Sequence, residues 1–348
     1  MLAESTENAK GPAALRWLTV TVPPTPSSLH PRLVLHRPPI GYRGSDETRE
    51  RAGSEAVARG SAIEPESRYY ESQRLRLHYA VWGDESNEPM LLIHGGRDHA
   101  RNWDAVADGL IDRYCMYAPD LRGHGDSAWA MGGQYSMPDF VLDIAALVDL
   151  IGRDPITIVG HSLGGAIALQ YAGVYPKRVK KTVSIEGLGP RVVERRVAHL
   201  RMQTWIADMR DLEGRHPRRY PTIDAAVKRM EEENPHLTPE MARHLTVHGA
   251  RQNEDGTYIW KFDNFVRAHS PYEFNTEDAR EIWNQIRCPV LLVRGDESWA
   301  GDPEEDGRAS AFHNYRSVAI HNAGHWVHHD QLDAFLKVAR AFLLDEQE

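Results

Sequence analysis

From residue 69 onward the chain is punctuated by short apolar runs, each closed by glycine or another turn former. Residues 69–71 and 75–82 alternate apolar and polar positions and predict a hairpin of half-buried strands. Short runs rich in apolar residues follow at 90–93, 115–118, 156–159, 179–185, 289–293 and 315–320, the first three and 289–293 almost continuously apolar. That pattern belongs to strands buried on both faces of a mostly parallel sheet. Helical periodicity falls between them, at 102–111, 137–150, 163–174 and 331–342. The alternation predicts an α/β architecture with helices on both faces of the sheet. It breaks once, over 188–285, where no strand pattern is expected. Helical patterns at 193–210 and 223–233 precede the stretch Tyr258-Ile259-Trp260-Lys261-Phe262. This segment reads as a mostly helical cap inserted after the sixth strand, over the carboxyl edge of the sheet.

The first 65 residues follow neither period. They carry Pro23, Pro24, Pro26, Pro31, Pro38 and Pro39, then a polar stretch over 44–60. Too little apolar surface is available there to offset the entropy of ordering, so 1–65 is expected to be a disordered extension. The division is therefore an extension over 1–65, a core over 66–187 and 286–348, and a cap over 188–285.

Composition changes the picture little. The net charge is −9 over 348 residues, with both signs well mixed. No basic field is offered to nucleic acid or to an anionic membrane, and neither partner is expected. Cys115 and Cys288 each lie in or beside an apolar run and make no disulfide framework. No window holds 18 successive apolar residues, and 13–22 makes a poor signal peptide because it contains Arg16 and runs into Pro23-Pro24. The default compartment is cytoplasmic.

The chemistry centres on Gly160-His161-Ser162-Leu163-Gly164, placed between the run at 156–159 and a helical pattern. A sharp strand-to-helix turn would hold Ser162 with its hydroxyl above the sheet, and the two glycines remove side chains that would collide across it. The helix start favours developing negative charge. After the run at 90–93 comes His94-Gly95-Gly96-Arg97. An oxyanion needs two pre-aimed N–H donors, and they are assigned to Gly96 and Leu163. His94 is expected to brace this loop. A serine also needs a base to accept its proton, and His325, in Asn322-Ala323-Gly324-His325-Trp326 after the final strand, is suited to it. His321, His328 and His329 lie nearby, but no cysteine or carboxylate pair closes a metal site with them. No metal and no other cofactor are expected.

The ordered set of His94-Gly95-Gly96, Asp120-Leu121-Arg122-Gly123-His124-Gly125-Asp126-Ser127, Gly160-His161-Ser162-Leu163-Gly164-Gly165 and Ala323-Gly324-His325-Trp326 resembles the α/β-hydrolase superfamily. The resemblance runs from about Tyr69 to the C-terminus and is weakest in the cap. Within the superfamily the chain is similar to the kraken-like, serine-hydrolase-like branch, on residues 185–190 and 234–238. The resemblance implies an eight-stranded, mostly parallel sheet flanked by helices. It disfavours the dehalogenases and epoxide hydrolases that use an aspartate nucleophile, since position 162 is serine. It leaves 120–127 as a structural loop.

The resemblance also implies a triad acid, usually three or four residues beyond the glycine that ends the seventh strand. Here those positions are Ser298 and Trp299, which cannot serve. Asp296 comes too early in the turn and Asp302 late. The superfamily's other location, the end of the sixth strand, holds Glu186. Glu186 is the leading acid, with Asp302 and Asp296 as alternatives. Trp103, Trp205, Trp260, Phe262 and Trp326 are candidates to line an apolar pocket under the cap. The expected function is hydrolysis of a carboxylic ester or lactone of moderate size and apolar character through an acyl-enzyme. Carbon–carbon bond hydrolysis of the meta-cleavage type, cofactor-free haloperoxidase activity and a non-enzymatic ligand receptor remain alternatives on the same fold.

Overall fold

In the computed structural model, residues 63–132, 135–189, 197–268, 270–272 and 275–345 are described. The extension expected over 1–65 therefore lies, up to residue 62, outside the described residues. The chain enters through β1 (Glu66–Ser72) and β2 (Leu75–Trp82). Then come β3 (Glu88–Ile93), a 3-10 turn (Ala100–Trp103), α1 (Asp104–Asp108) and β4 (Tyr114–Pro119). Next are α2 (Met137–Ile151), β5 (Ile156–His161), α3 (Leu163–Val174) and β6 (Val179–Ile185). These strands join β9 (Val290–Gly295) and β10 (Tyr315–Ile320) in one eight-stranded sheet of order β1-β2-β4-β3-β5-β6-β9-β10. Pairing is antiparallel between β1 and β2 and between β2 and β4, and parallel elsewhere.

The two-residue side-chain period divides the core between the two faces. Leu91 and Ile93 of β3 pack on one side with Phe140, Ile144 and Leu147 of α2, Ile167 and Tyr171 of α3, and Trp283. Met90 and Leu92 pack on the other with Trp103, Val106, and Phe335 and Ala339 of the last helix. Every residue of β4 and β5 is buried, which is why both read as unbroken apolar runs.

Between β6 and β9 lie α4 (Ala198–Glu213), α5 (Ile223–Glu233), α6 (Pro239–Gly249) and α7 (Thr276–Trp283). Side chains of Thr222, Thr238 and Asn275 accept backbone N–H bonds at the starts of α5, α6 and α7. This segment was expected to hold no strand, and that expectation fails. β7 (Ala250–Gln252) pairs antiparallel with β8 (Tyr258–Trp260). Each strand is three residues long, too short to establish a period. The turn residues Asn253 to Gly256, with Gly256 at φ 81°, supply the reversal. After β10, α8 (Val327–Asp330) and α9 (Leu332–Leu343) complete the fold.

Candidate active site

The parallel register brings the C-terminal ends of β3, β5, β6, β9 and β10 to one edge, and the candidate residues lie in the turns that leave it. Ser162 separates β5 from α3 at φ 51° and ψ −116°, a conformation that costs a non-glycine residue roughly 1–3 kcal/mol. Two close approaches hold it there. A Cβ on Gly160 would run into the Gly164 backbone, and one on Gly164 would run into the carbonyls of Ile93 and His94. The start of α3 is thus pressed between the end of β5 and the loop after β3.

That loop carries Gly95 and Gly96. A Cβ on Gly95 would stand 3.3 Å from Ser162 Cβ, and one on Gly96 would stand 3.9 Å from Leu163 Cδ2. Among the described residues, neither the Gly96 nor the Leu163 N–H has a hydrogen-bond partner. His94 fixes the loop from beneath. Its Nδ1 donates to the Gly95 carbonyl (2.6 Å) and its Nε2 accepts from Leu121 N–H (3.0 Å). Complete burial pushes its pKa down to about 4, so the ring stays neutral. Asp120 secures the neighbouring turn, accepting from His78 Nδ1 (2.7 Å), Ala100 N–H (2.6 Å) and Asp126 N–H (2.8 Å). Residues 120–127 are accordingly a brace for the site.

His325 lies beyond β10. The His161 ring beside Ser162 donates through Nε2 to the His325 carbonyl (2.9 Å), so the two turns are tied together. Burial first, and then the field of His325, holds His161 well below the ordinary histidine range. A neutral neighbour does not oppose a positive charge forming on His325. Among the described residues the Ser162 hydroxyl makes no hydrogen bond.

Glu186, at φ 53° just past β6, has a fully buried side chain. Its Oε1 accepts from Gly295 N–H (2.7 Å) and its Oε2 from Ser298 Oγ (2.9 Å). Oε2 also lies 3.5 Å from His325 Nδ1, close enough for an ion pair but without hydrogen-bond geometry. The two alternatives are engaged elsewhere. Asp302 pairs with Arg294 at 2.8 Å, and Asp296 with the exposed His321 at 2.5 Å. Sequence reasoning passed over Ser298 because a hydroxyl cannot be the acid. Its place in the seventh-strand loop was the available signal that it touches the acid's neighbourhood. Trp299 was passed over likewise. It is 76% exposed and its ring lies 4.8 Å from that of His325.

Trp260, Phe262 and Trp326 line one cavity with Arg97, Asp98, His99, Met230 and Leu245, but Ser162 does not border it. Its volume is ≈ 20 Å³, room for about one water molecule. Trp103 does not join them, contrary to expectation. It is 0% exposed, stacked on His328 at 4.7 Å in the core between α1 and α9. A tryptophan closing a 3-10 turn against the sheet is a packing residue, and sequence position alone could not separate that from a pocket wall. Trp205, on α4, is half-buried and outside the cavity. Two groups among the described residues have donor spacing suited to a cation: Asp104 with His244 and His248, and His78 with Asp120 and Asp126. In the first, Arg101 already lies 2.7 Å from the carboxylate; the second is the brace described above.

A family model for the alpha/beta hydrolase fold matches residues 88–332. An esterase of Mycobacterium tuberculosis is 26% identical over 264 residues, 75% of this chain and 84% of that protein. A probable serine hydrolase of Drosophila melanogaster is 29% identical over 222 residues, 62% of this chain and 66% of that protein. Among solved structures, a thioesterase domain from the curacin biosynthetic pathway superposes with a TM-score of 0.71 at 26% identity, covering 79% of this chain and 99% of that domain. With the sheet order and the strained serine turn between β5 and α3, these likenesses establish that the chain belongs to the α/β-hydrolase fold family.

Proposed function

We propose that the protein is a serine hydrolase that cleaves a carboxylic ester or lactone through an acyl-enzyme. The observation that carries this reading is Ser162 at its strained turn against the Gly95-Gly96 loop, where, among the described residues, the N–H groups of Gly96 and Leu163 have no partner. Ser162 Oγ attacks the substrate carbonyl while His325 takes its proton. The negative charge that develops on the carbonyl oxygen is met by the two N–H donors and by the start of α3. His325 then returns the proton to the departing alkoxide, and the same base activates the water that releases the acyl group. Glu186 holds the imidazole by Nδ1 and balances its positive charge. The present 3.5 Å separation shortens when substrate settles the loops, as catalytic hydrogen bonds commonly do.

The segment over 188–285 acts as the cap. Met230, Leu245 and Trp260 of this segment wall the cavity, and the cap opens to admit substrate and closes to exclude water. The aromatic rings of Trp260, Phe262 and Trp326 receive the apolar part of the substrate. A panel of activated esters, lactones and amides assayed on the native chain and on Ser162→Ala tests this reading. Turnover should centre on esters or lactones and vanish in the variant. Activity that survives Ser162→Ala refutes the assignment of the nucleophile.

A further inference from the structure

The aromatic wall of the cavity is edged by positive charge. Arg97 lines it directly and is the residue after Gly96, at φ 65°. Arg267 carries its guanidinium carbon 5.3 Å over the ring of Phe262, which also lines the cavity. Arg215 anchors the same turn, its carbonyl accepting from Asn264 Nδ2 (3.3 Å). All three are exposed, and among the described residues none lies within ion-pair distance of a carboxylate. Partial burial, and then the fields of Arg97 and Arg215, hold Arg267 below the ordinary arginine range, and the opposing field of Glu233 offsets this only in part.

The nearby acids are committed elsewhere. Glu233 bonds to Arg229, and Asp126 to Lys261 at 2.9 Å. Asp98, in the cavity wall, accepts from His99 N–H (2.9 Å) and from the Asn102 amide, and burial pushes it up to about 7. A chain of net charge −9 thus sets Arg97 next to Gly96 at the cavity, with Arg267 over a ring of the same cavity and Arg215 near enough for its field to act on Arg267.

We propose that the substrate is a carboxylic ester carrying an oxyanion group, a carboxylate or a phosphate, at the end of a short apolar chain, and that Arg97 and Arg267 bind that group with Arg215 adding to the field. Guanidinium forks match both oxyanions bidentately. Arg97 is one residue past Gly96 and lines the cavity, so a group it binds lies within about the length of an arginine side chain of the loop that would polarise the carbonyl. The aromatic rings then cover the chain between the two polar ends. This inference rests on the hydrolase reading and narrows its substrate class.

The test compares three p-nitrophenyl esters: the glutarate half-ester, its neutral methyl ester, and an analogue of equal length ending in phosphonate. For the native protein, kcat/KM should favour an anionic ester over the neutral one by roughly 10- to 100-fold, the worth of a charge-assisted hydrogen bond. Whichever anion leads identifies the group. The ratio should shrink as salt is raised. It should collapse toward unity in Arg97→Gln and in Arg267→Gln, and recover in part in Arg267→Lys. Binding of the same esters to Ser162→Ala, measured by calorimetry, separates the two readings. Tighter binding of the anionic ester without turnover by the native protein overturns the hydrolase reading and leaves standing only the binding of the anion by Arg97 and Arg267. Turnover of both esters at equal kcat/KM, or equal binding, overturns this inference and leaves the hydrolase.

Discussion

Replacing Glu186 by Gln removes one charge and almost no volume, so its effect reports on electrostatics. In the native chain Oε1 is held by Gly295 N–H and Oε2 by Ser298 Oγ, with His325 Nδ1 at 3.5 Å. A glutamine must keep its oxygen toward Gly295, because its amide nitrogen there would face another donor. The amide N–H₂ is then turned toward Ser298 and His325. A donor at Nδ1 stabilises the imidazole tautomer that carries its proton on Nε2, the wrong one for accepting a proton from Ser162. The charge lost also stops stabilising the imidazolium. At 3.5 Å and an effective dielectric constant of about 20, that interaction is worth roughly 4–5 kcal/mol before screening. His325 is 21% exposed, so somewhat less survives. The expected loss is about 10²–10⁴ in kcat on an activated aryl ester, with KM nearly unchanged. Asp302→Asn and Asp296→Asn, whose partners are Arg294 and His321, should each change kcat by less than about threefold. Thermal melts of all three variants check that the fold persists. A Glu186→Gln enzyme within tenfold of native, or an Asp302→Asn enzyme weaker than it, refutes the assignment of the acid.

Gly164→Ala should lower stability by at least about 2 kcal/mol in urea titrations, because its Cβ would displace the carbonyls of Ile93 and His94; a neutral result would mean that α3 does not press on that loop. Trp103→Ala should cost roughly 3–5 kcal/mol in the same measurement, as a buried core tryptophan does. Trp260→Ala should instead raise KM severalfold with little change in the melt; a reversed pair of outcomes would exchange their roles. Stability should also fall with pH. Burial holds His94 and His99 down to about 4 and His124 to about 3, whereas the unfolded chain binds these protons near 6.5. The unfolded state therefore takes up more protons as pH drops from about 6.5 to 4, and each group withdraws up to roughly 3 kcal/mol across that window. A melting temperature flat from pH 7 to 4.5 would show these rings to be solvated.

How much of this was legible in the chain depends on whether a signal was local. The sheet was, because apolar runs such as 115–118 and 156–159 are the direct consequence of burial on both faces, and the eight predicted runs match the eight strands of the large sheet to within a residue or a few at their ends. The turn at Ser162 was as well, because close packing at Gly160 and Gly164 is written into the residues themselves. The β7–β8 hairpin was not, since three residues per strand leave no periodicity to detect. The site is legible only in part for a related reason. Its contacts join residues far apart in sequence: Glu186 to Gly295 and Ser298, His161 to His325, and Arg97 with Phe262 in one cavity wall. Glu186 stood out because a glutamate ends a strand where the expected acid position holds a serine. Ser298 was marked only by its place in the loop after the seventh strand, and the fold sets its hydroxyl on that carboxylate. Trp103 and Trp260 look alike in sequence, each an aromatic beside a polar turn. Only the three-dimensional path separates them, since the chain after β3 dives beneath the sheet edge at Trp103, while Trp260 ends a strand that faces the cavity. Residue type thus indicates what a side chain can do, and the partner that decides whether it does so is supplied by a distant segment.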